Sequence, residues 1–295
     1  MSIPKNTPLT PSAGDPRPIG VFDSGLGGLT VVPYLLEALP EERVVYFGDT
    51  ARTPYGSKSL PTIQKFSREI VDFLAAEDCK AIVIACNTVS STCLASLEED
   101  YPALPIVGII DPMVEELARS LRAAPQALRS RRLGVIGTKV TVASGVYPCL
   151  LATALPGARL AQKACPIFVP LIEEGLLDHT MMEEAIHYYL DDFVATEGLT
   201  DLILGCTHYH LMEAKLHRLY PQLRIWNPAA AQVRALTQVL ANRGLLAGPQ
   251  EPAGDQANDR LNHFYASDLS DNFRQMIANI AAGQQVHLEF KSLEI

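Results

Sequence analysis

No stretch of the 295-residue sequence reaches the roughly 18 consecutive apolar residues that a membrane span needs. The first eighteen residues carry Pro4, Pro8, Pro11, Pro16 and Pro18 and no apolar run, so they lack the hydrophobic segment of a secretory signal. Residues 1–17 are expected to form a flexible tail, and the expected location is cytoplasmic. Positive charge is short: Lys and Arg total 24 against 33 Asp and Glu, a formal net charge of −9. That is the wrong sign for steering toward nucleic acid or an anionic membrane, so neither is expected as a partner. Cys-x-x-Cys pairs are missing, and six cysteines over this length are too few for a disulfide scaffold. The tight run Cys206, His208, His210 lacks the companion ligands of a zinc site, and no metal is expected. A P-loop is absent. The glycine-rich turn Asp23-Ser24-Gly25-Leu26-Gly27-Gly28-Leu29-Thr30 puts Thr30 where a dinucleotide fingerprint needs Gly or Ala.

What is present is a soluble, core-forming pattern. Apolar residues make up 48% and charged residues only 19%, below the roughly 25% of an average globular chain, which excludes global disorder. Short apolar runs recur at Ile19 to Phe22, Val44 to Phe47, Ala81 to Ala85, Ile106 to Ile110, Leu133 to Ile136 and Leu202 to Leu204. Each suits a strand buried on both faces. Between them lie helical spacings such as Ile63, Phe66, Ile70, Phe73, Leu74 and Met182, Ile186, Tyr189, Leu190, Phe193. Strand then helix, repeated, predicts a parallel α/β architecture.

A weak internal repeat sharpens this. Arg17 to Ser24 echoes Arg132 to Thr138 at an offset of about 115 residues, and Ala81 to Thr88 echoes Asp201 to His208 at about 120. The pair predicts two similar α/β domains with parallel-rich sheets, related by a pseudo-twofold and with the active site in the cleft between them. The first is expected to comprise residues 18–110 plus 230–295 and the second 111–229. Phe264-Tyr265 and the spacing Leu269, Phe273, Met276, Ile277, Ile280 predict a last strand and helix that rejoin the first. Residues 121–132 read as a solvated connection and 243–260 as an exposed loop. Ligands in such sheets gather beyond the carboxyl ends of the strands, so Asp23, Cys86, Thr138 and Cys206 are expected on functional edges.

Cys86 and Cys206 each follow a buried strand and precede a polar residue, the position of a helix N-terminus, which stabilises a thiolate. Cys79, Cys93, Cys149 and Cys165 lack that context and read as structural. Two thiols facing across a cleft serve either as a redox pair or as an acid and a base. For proton transfer at a carbon between them, each sulfur stands about 3 to 3.5 Å from that carbon, a gap that forbids a bond of about 2.05 Å. A thiolate and a thiol exchanging roles can invert an amino acid's α-carbon without a cofactor. Asp23 on one side, and His208 with Glu173 on the other, are the candidates to tune them. Ser24, Asn87, Thr88 and Thr207 offer polar groups on the same edges.

These residues carry a resemblance to the bacterial glutamate racemases of the cofactor-independent aspartate/glutamate racemase superfamily. The matching segments are Val21 to Gly28, Tyr46 to Gly56, Ala85-Cys86-Asn87-Thr88, Gly134 to Thr138, Cys165 to Gly175 and Leu204 to Tyr209, with Phe264 to Asp268 resembling the family's C-terminal strand. The resemblance implies that Cys86 acts on D-glutamate and Cys206 on L-glutamate. It assigns Asp23 to assist Cys86, and His208 and Glu173 to assist Cys206. Substrate binding would fall to Asp23, Ser24, Tyr55, Gly56, Asn87, Thr88, Thr207 and His208. It further implies supply of D-glutamate for peptidoglycan. Homodimers occur among such proteins, though no interface signature stands out in this sequence.

The sequence departs from the family pattern at Val89, at Lys139-Val140, at Trp226-Asn227-Pro228, and at His210, which replaces the usual proline. Alternative readings are an aspartate racemase or related diacid isomerase using the same thiols, a non-catalytic binding protein that keeps the fold, and a dithiol redox protein.

Overall fold

The computed structural model describes residues 14–123, 130–248, 261–281 and 286–293. Among these residues the strands are β1 (Ile19–Asp23), β2 (Val44–Gly48), β3 (Ala81–Ile84), β4 (Ile106–Val107), β5 (Arg132–Gly137), β6 (Arg159–Ala164), β7 (Asp201–Gly205), β8 (Arg224–Trp226), β9 (Asn262–Ala266) and β10 (Val286–Phe290). They form two sheets, ordered β10-β9-β2-β1-β3-β4 and β6-β5-β7-β8, in which every paired neighbour is parallel. The orders β2-β1-β3-β4 and β6-β5-β7-β8 coincide when the repeated segments are superposed, β1 on β5 and β3 on β7. The repeat in the sequence is thus a repeat of topology, and the chain folds as two α/β domains.

Parallel strands are covered by helices on both faces, which explains the unbroken apolar runs. In the first sheet Ile19, Val21, Val44, Tyr46, Ala81 and Val83 enter one core cluster, while the alternate residues Phe22, Val45, Phe47, Ile82 and Ile84 enter another. The helix Leu60–Ala76 starts with a proline in its first turn and buries Ile63, Ile70, Val71 and Leu74 in the second cluster. The first cluster continues without a break into Leu133, Val135, Leu202 and Leu204 of the other sheet. After β8 the chain returns, and β9 pairs with β2 and β10 with β9, completing the first sheet.

The run Ile106 to Ile110 is strand only at Ile106–Val107; Ile110 already begins the helix Ile110–Arg122. The Ile109 N–H turns away from the ladder to donate to Ser90 Oγ at 2.9 Å, and Pro112 favours the first helical turn. β6, β8 and β10 left no apolar signal because they are partly exposed edge strands. Of the segments read as connections, 124–129 and 249–260 lie outside the described residues, as does 1–13 of the tail. Residues 14–17 pack: the Asp15 N–H donates to Leu246 O at 3.1 Å, and Asp15 O accepts from Lys80 Nζ at 2.6 Å. Among the described residues, no helix is long and apolar enough to cross a membrane.

Candidate active site

The carboxyl ends of the central strands of both sheets converge on one cleft. Asp23 closes β1, Cys86 caps the helix Asn87–Asp100 one residue after Ala85, and Thr138 follows β5 and caps the helix Lys139–Ala143. Cys206 directly follows β7 and caps the 3-10 helix Thr207–Met212. Both sulfurs stand at helix N-termini, where the first N–H groups have no intrahelical partner and the backbone dipole is positive. Ser24, Pro54, Tyr55, Gly56, Cys86, Asn87, Thr88, Thr138, Val169, Cys206, Thr207 and His208 enclose a space of about 10 Å³. That is room for about one water, so the two domains are closed on each other. Asp23 and Glu173 stand behind this lining.

On the first domain's side, the Cys86 thiol donates to Ser24 Oγ at 3.5 Å. Burial first, and the Asp23 charge second, push the Cys86 thiol up to about 12. Asp23 is fully buried; its carboxylate accepts from the Gly25 N–H at 3.0 Å and from Thr207 Oγ1 at 3.0 Å, tying the domains together. Burial raises its pKa, partly countered by the charge of His208 and by those hydrogen bonds. Asp23 therefore acts on Cys86 through charge, and the hydrogen bond of the thiol is accepted by Ser24.

On the opposite side, His208 Nδ1 lies 3.9 Å from Cys206 Sγ, and its Nε2 lies 2.5 Å from Glu173 Oε1. Burial opposes a charge on this ring, yet the hydrogen bonds to Cys206 and Glu173 hold its pKa well above the ordinary imidazole range. A carboxylate, an imidazolium and a thiol thus stand in a row. Glu173 Oε1 also accepts the Leu26 N–H from the other domain at 3.3 Å.

The same lining carries several polar groups. Asn87 Oδ1 is held by Tyr147 OH at 2.9 Å, which leaves the buried Asn87 Nδ2 without a partner among the described residues. The hydroxyls of Thr88 and Thr138 lie 3.0 Å apart across the cleft. Gly56 packs so tightly on Thr138 that an added Cβ would lie 2.4 Å from the Thr138 Cβ; only glycine permits that approach.

A family model described as Asp/Glu/Hydantoin racemase matches residues 24–236. The chain belongs to this racemase family. It is 41% identical to the glutamate racemase of Chlorobaculum tepidum over 260 residues, covering 88% of this chain and 90% of that one. It is 37% identical to that of Neisseria gonorrhoeae over 281 residues, covering 95% and 98%. The solved structure of Francisella tularensis glutamate racemase in complex with D-glutamate superposes with a TM-score of 0.80 at 33% identity, covering 95% and 99%.

Ten of the residues singled out in the sequence line the racemase's cavity, and Asp23 and Glu173 back it. What holds them was not legible in the sequence. Tyr55 OH donates to the buried Asp49, which also accepts from Arg52 Nε and, at 2.7 Å, from Ser267 Oγ after β9. The Tyr55 hydroxyl is thereby committed, and the racemase presents Tyr55 to the cleft by its ring and backbone. Pro54 and Val169 were also missed as lining. Both sit inside the matching segments, but nothing in their residue type marks them as part of a site.

Proposed function

We propose that this racemase interconverts L- and D-glutamate by moving a proton between Cys86 and Cys206, supplying D-glutamate for peptidoglycan. The observation that carries the reading is that both sulfurs line one enclosed cavity, each at a helix N-terminus and each on a different domain. Division into residues 18–110 with 230–295 and 111–229 is part of the proposal, supported by which strands share a sheet.

In the L-to-D direction the Cys206 thiolate removes the α-proton. The C–H electron pair moves into the α-carboxylate, and the Cys86 thiol delivers its proton to the opposite face. The reverse direction exchanges the roles. The charge that grows on the carboxylate falls beside Asn87 Nδ2 and the helix N-terminal N–H groups, where preorganised donors lower the barrier. His208, held by Glu173, carries the positive charge that matches Cys206 as thiolate. At Cys86 the Asp23 charge works in the opposite sense, favouring the protonated thiol, and Ser24 Oγ holds the sulfur.

The purified protein is expected to abolish the optical rotation of L-glutamate without added cofactor and, in D2O, to place deuterium at the α-carbon. L-aspartate should turn over far more slowly. A circular dichroism time course on both amino acids tests this, and turnover of aspartate matching or exceeding that of glutamate would move the reading to the shorter diacid.

The active form holds one proton between two thiols, so its loss ends activity and the apparent pKa values belong to the pair. With Cys86 pushed up to about 12, that proton stays on to high pH. In either direction kcat/KM should therefore hold its plateau through about pH 9, until the α-ammonium of free glutamate itself begins to titrate, while the fold persists. An alkaline decline centred near the ordinary thiol value of about 8.5 would contradict the assignment of Cys86.

A further inference from the structure

Thr207–Met212 carries a second buried imidazole that the proposed reaction does not use. His210 is 7% exposed and stands behind His208 on the same short helix. Its Nδ1 lies 3.0 Å from Thr30 Oγ1 in the other domain. The Thr30 hydroxyl donates its hydrogen to Gly27 O at 2.8 Å, so its oxygen accepts and His210 Nδ1 is the donor. Nε2 is buried and makes no hydrogen bond of good geometry among the described residues, and the Leu204 carbonyl also lies within reach of the ring. Burial, and then the positive His208 beside it, push the His210 pKa down to about 3, so the ring stays neutral.

The link returns to the active site. A Cβ built on Gly27 would lie 2.5 Å from His208 Nδ1, 2.6 Å from Thr207 Oγ1 and 2.7 Å from the His208 backbone N. The Gly27 backbone is thus the wall against the very nitrogen that faces Cys206. We propose that His210 is a positioning residue: through Thr30 it fixes the Gly27 backbone, and that backbone holds the His208 imidazole toward Cys206. The inference rests on the two-thiol reading above. It concerns a position at which this chain departs from the family pattern, since a proline there has no hydrogen to donate.

The test uses α-deuterated L- and D-glutamate in H2O. Each labelled substrate slows only the abstraction on its own face. Loosening His208 makes the Cys206 step more rate-limiting, so the isotope effect on kcat/KM should rise in one direction and fall in the other. Glu173→Gln, which disturbs His208 directly, gives the reference sense. His210→Leu is expected to lower kcat about tenfold, leave KM within about twofold, and shift the two isotope effects in the sense of Glu173→Gln. His210→Asn keeps a donor near the Nδ1 position and should restore most of the loss. Thr30→Val keeps the shape, removes the hydroxyl, and should reproduce His210→Leu; the double variant should be no slower than either alone. Isotope effects that stay unchanged, move together, or move in the opposite sense to Glu173→Gln would overturn the proposal, as would equal losses in the Leu and Asn variants. A wild-type protein that fails to racemise glutamate would instead count against the function proposed above.

Discussion

Cys206→Ala is expected to slow racemisation of L-glutamate by about 10³-fold or more, and Cys86→Ala to do the same, with circular dichroism as the readout. Neither side chain is a large part of the core, so both variants should fold. The losses should not multiply, because a proton relay lacking one carrier is already broken: the double variant should be no slower than the singles. Solvent exchange should separate the faces. In D2O, Cys206→Ala should still take deuterium into D-glutamate through Cys86 and leave L-glutamate unlabelled, while Cys86→Ala should show the reverse. If either single variant retains activity within about tenfold of wild type, the thiols are not the proton carriers. In that case Asp23 or His208 must act directly.

The largest expected stability effect lies at the opposite edge of the first sheet. Lys80 Nζ sits 2.6 Å from Glu42 Oε2, with side chains 0% and 3% exposed, and Lys80 also donates to Asp15 O. Glu42 Oε1 in turn accepts the Ala247 N–H at 2.8 Å. One buried pair thus ties the residues before β1, β2 and β3 to the segment after the helix Ala229–Arg243. Lys80→Met leaves the carboxylate buried without its counter-charge, and breaking such a pair costs about 3 to 5 kcal/mol. Lys80→Met combined with Glu42→Leu should recover much of that, because no charge then needs desolvating. Denaturant unfolding of the two variants and wild type checks this. Racemisation well below the unfolding range should be near normal, since the pair lies at the amino ends of the strands. A Lys80→Met loss below about 1 kcal/mol would show that water reaches Glu42.

The legible parts of this protein are those where burial imposes a pattern. Strands buried on both faces left unbroken apolar runs, and the repeat exposed the shared strand order of the two sheets. Cys86 and Cys206 stood out because each ends such a run, and Asp23 because it ends the first. The exposed edge strands β6, β8 and β10 could not be seen this way. Nor could the polar supports: Tyr147 reaches Asn87 across 60 residues and Ser267 reaches Asp49 across 218, and a single hydrogen bond between distant residues leaves no periodicity. His210 was legible only as a departure, and its partner Thr30, 180 residues away, was not.

The return of the chain to the first sheet has a consequence for biosynthesis. Ser267, which pins the Asp49–Tyr55 loop, and Asn272, whose Nδ2 donates to Glu173 O at 2.7 Å, are translated well after both cysteines. Both cysteines leave the ribosome well before these supports exist. A chain translated only a little past Cys206 therefore carries both proposed proton carriers while the cleft still lacks these two braces.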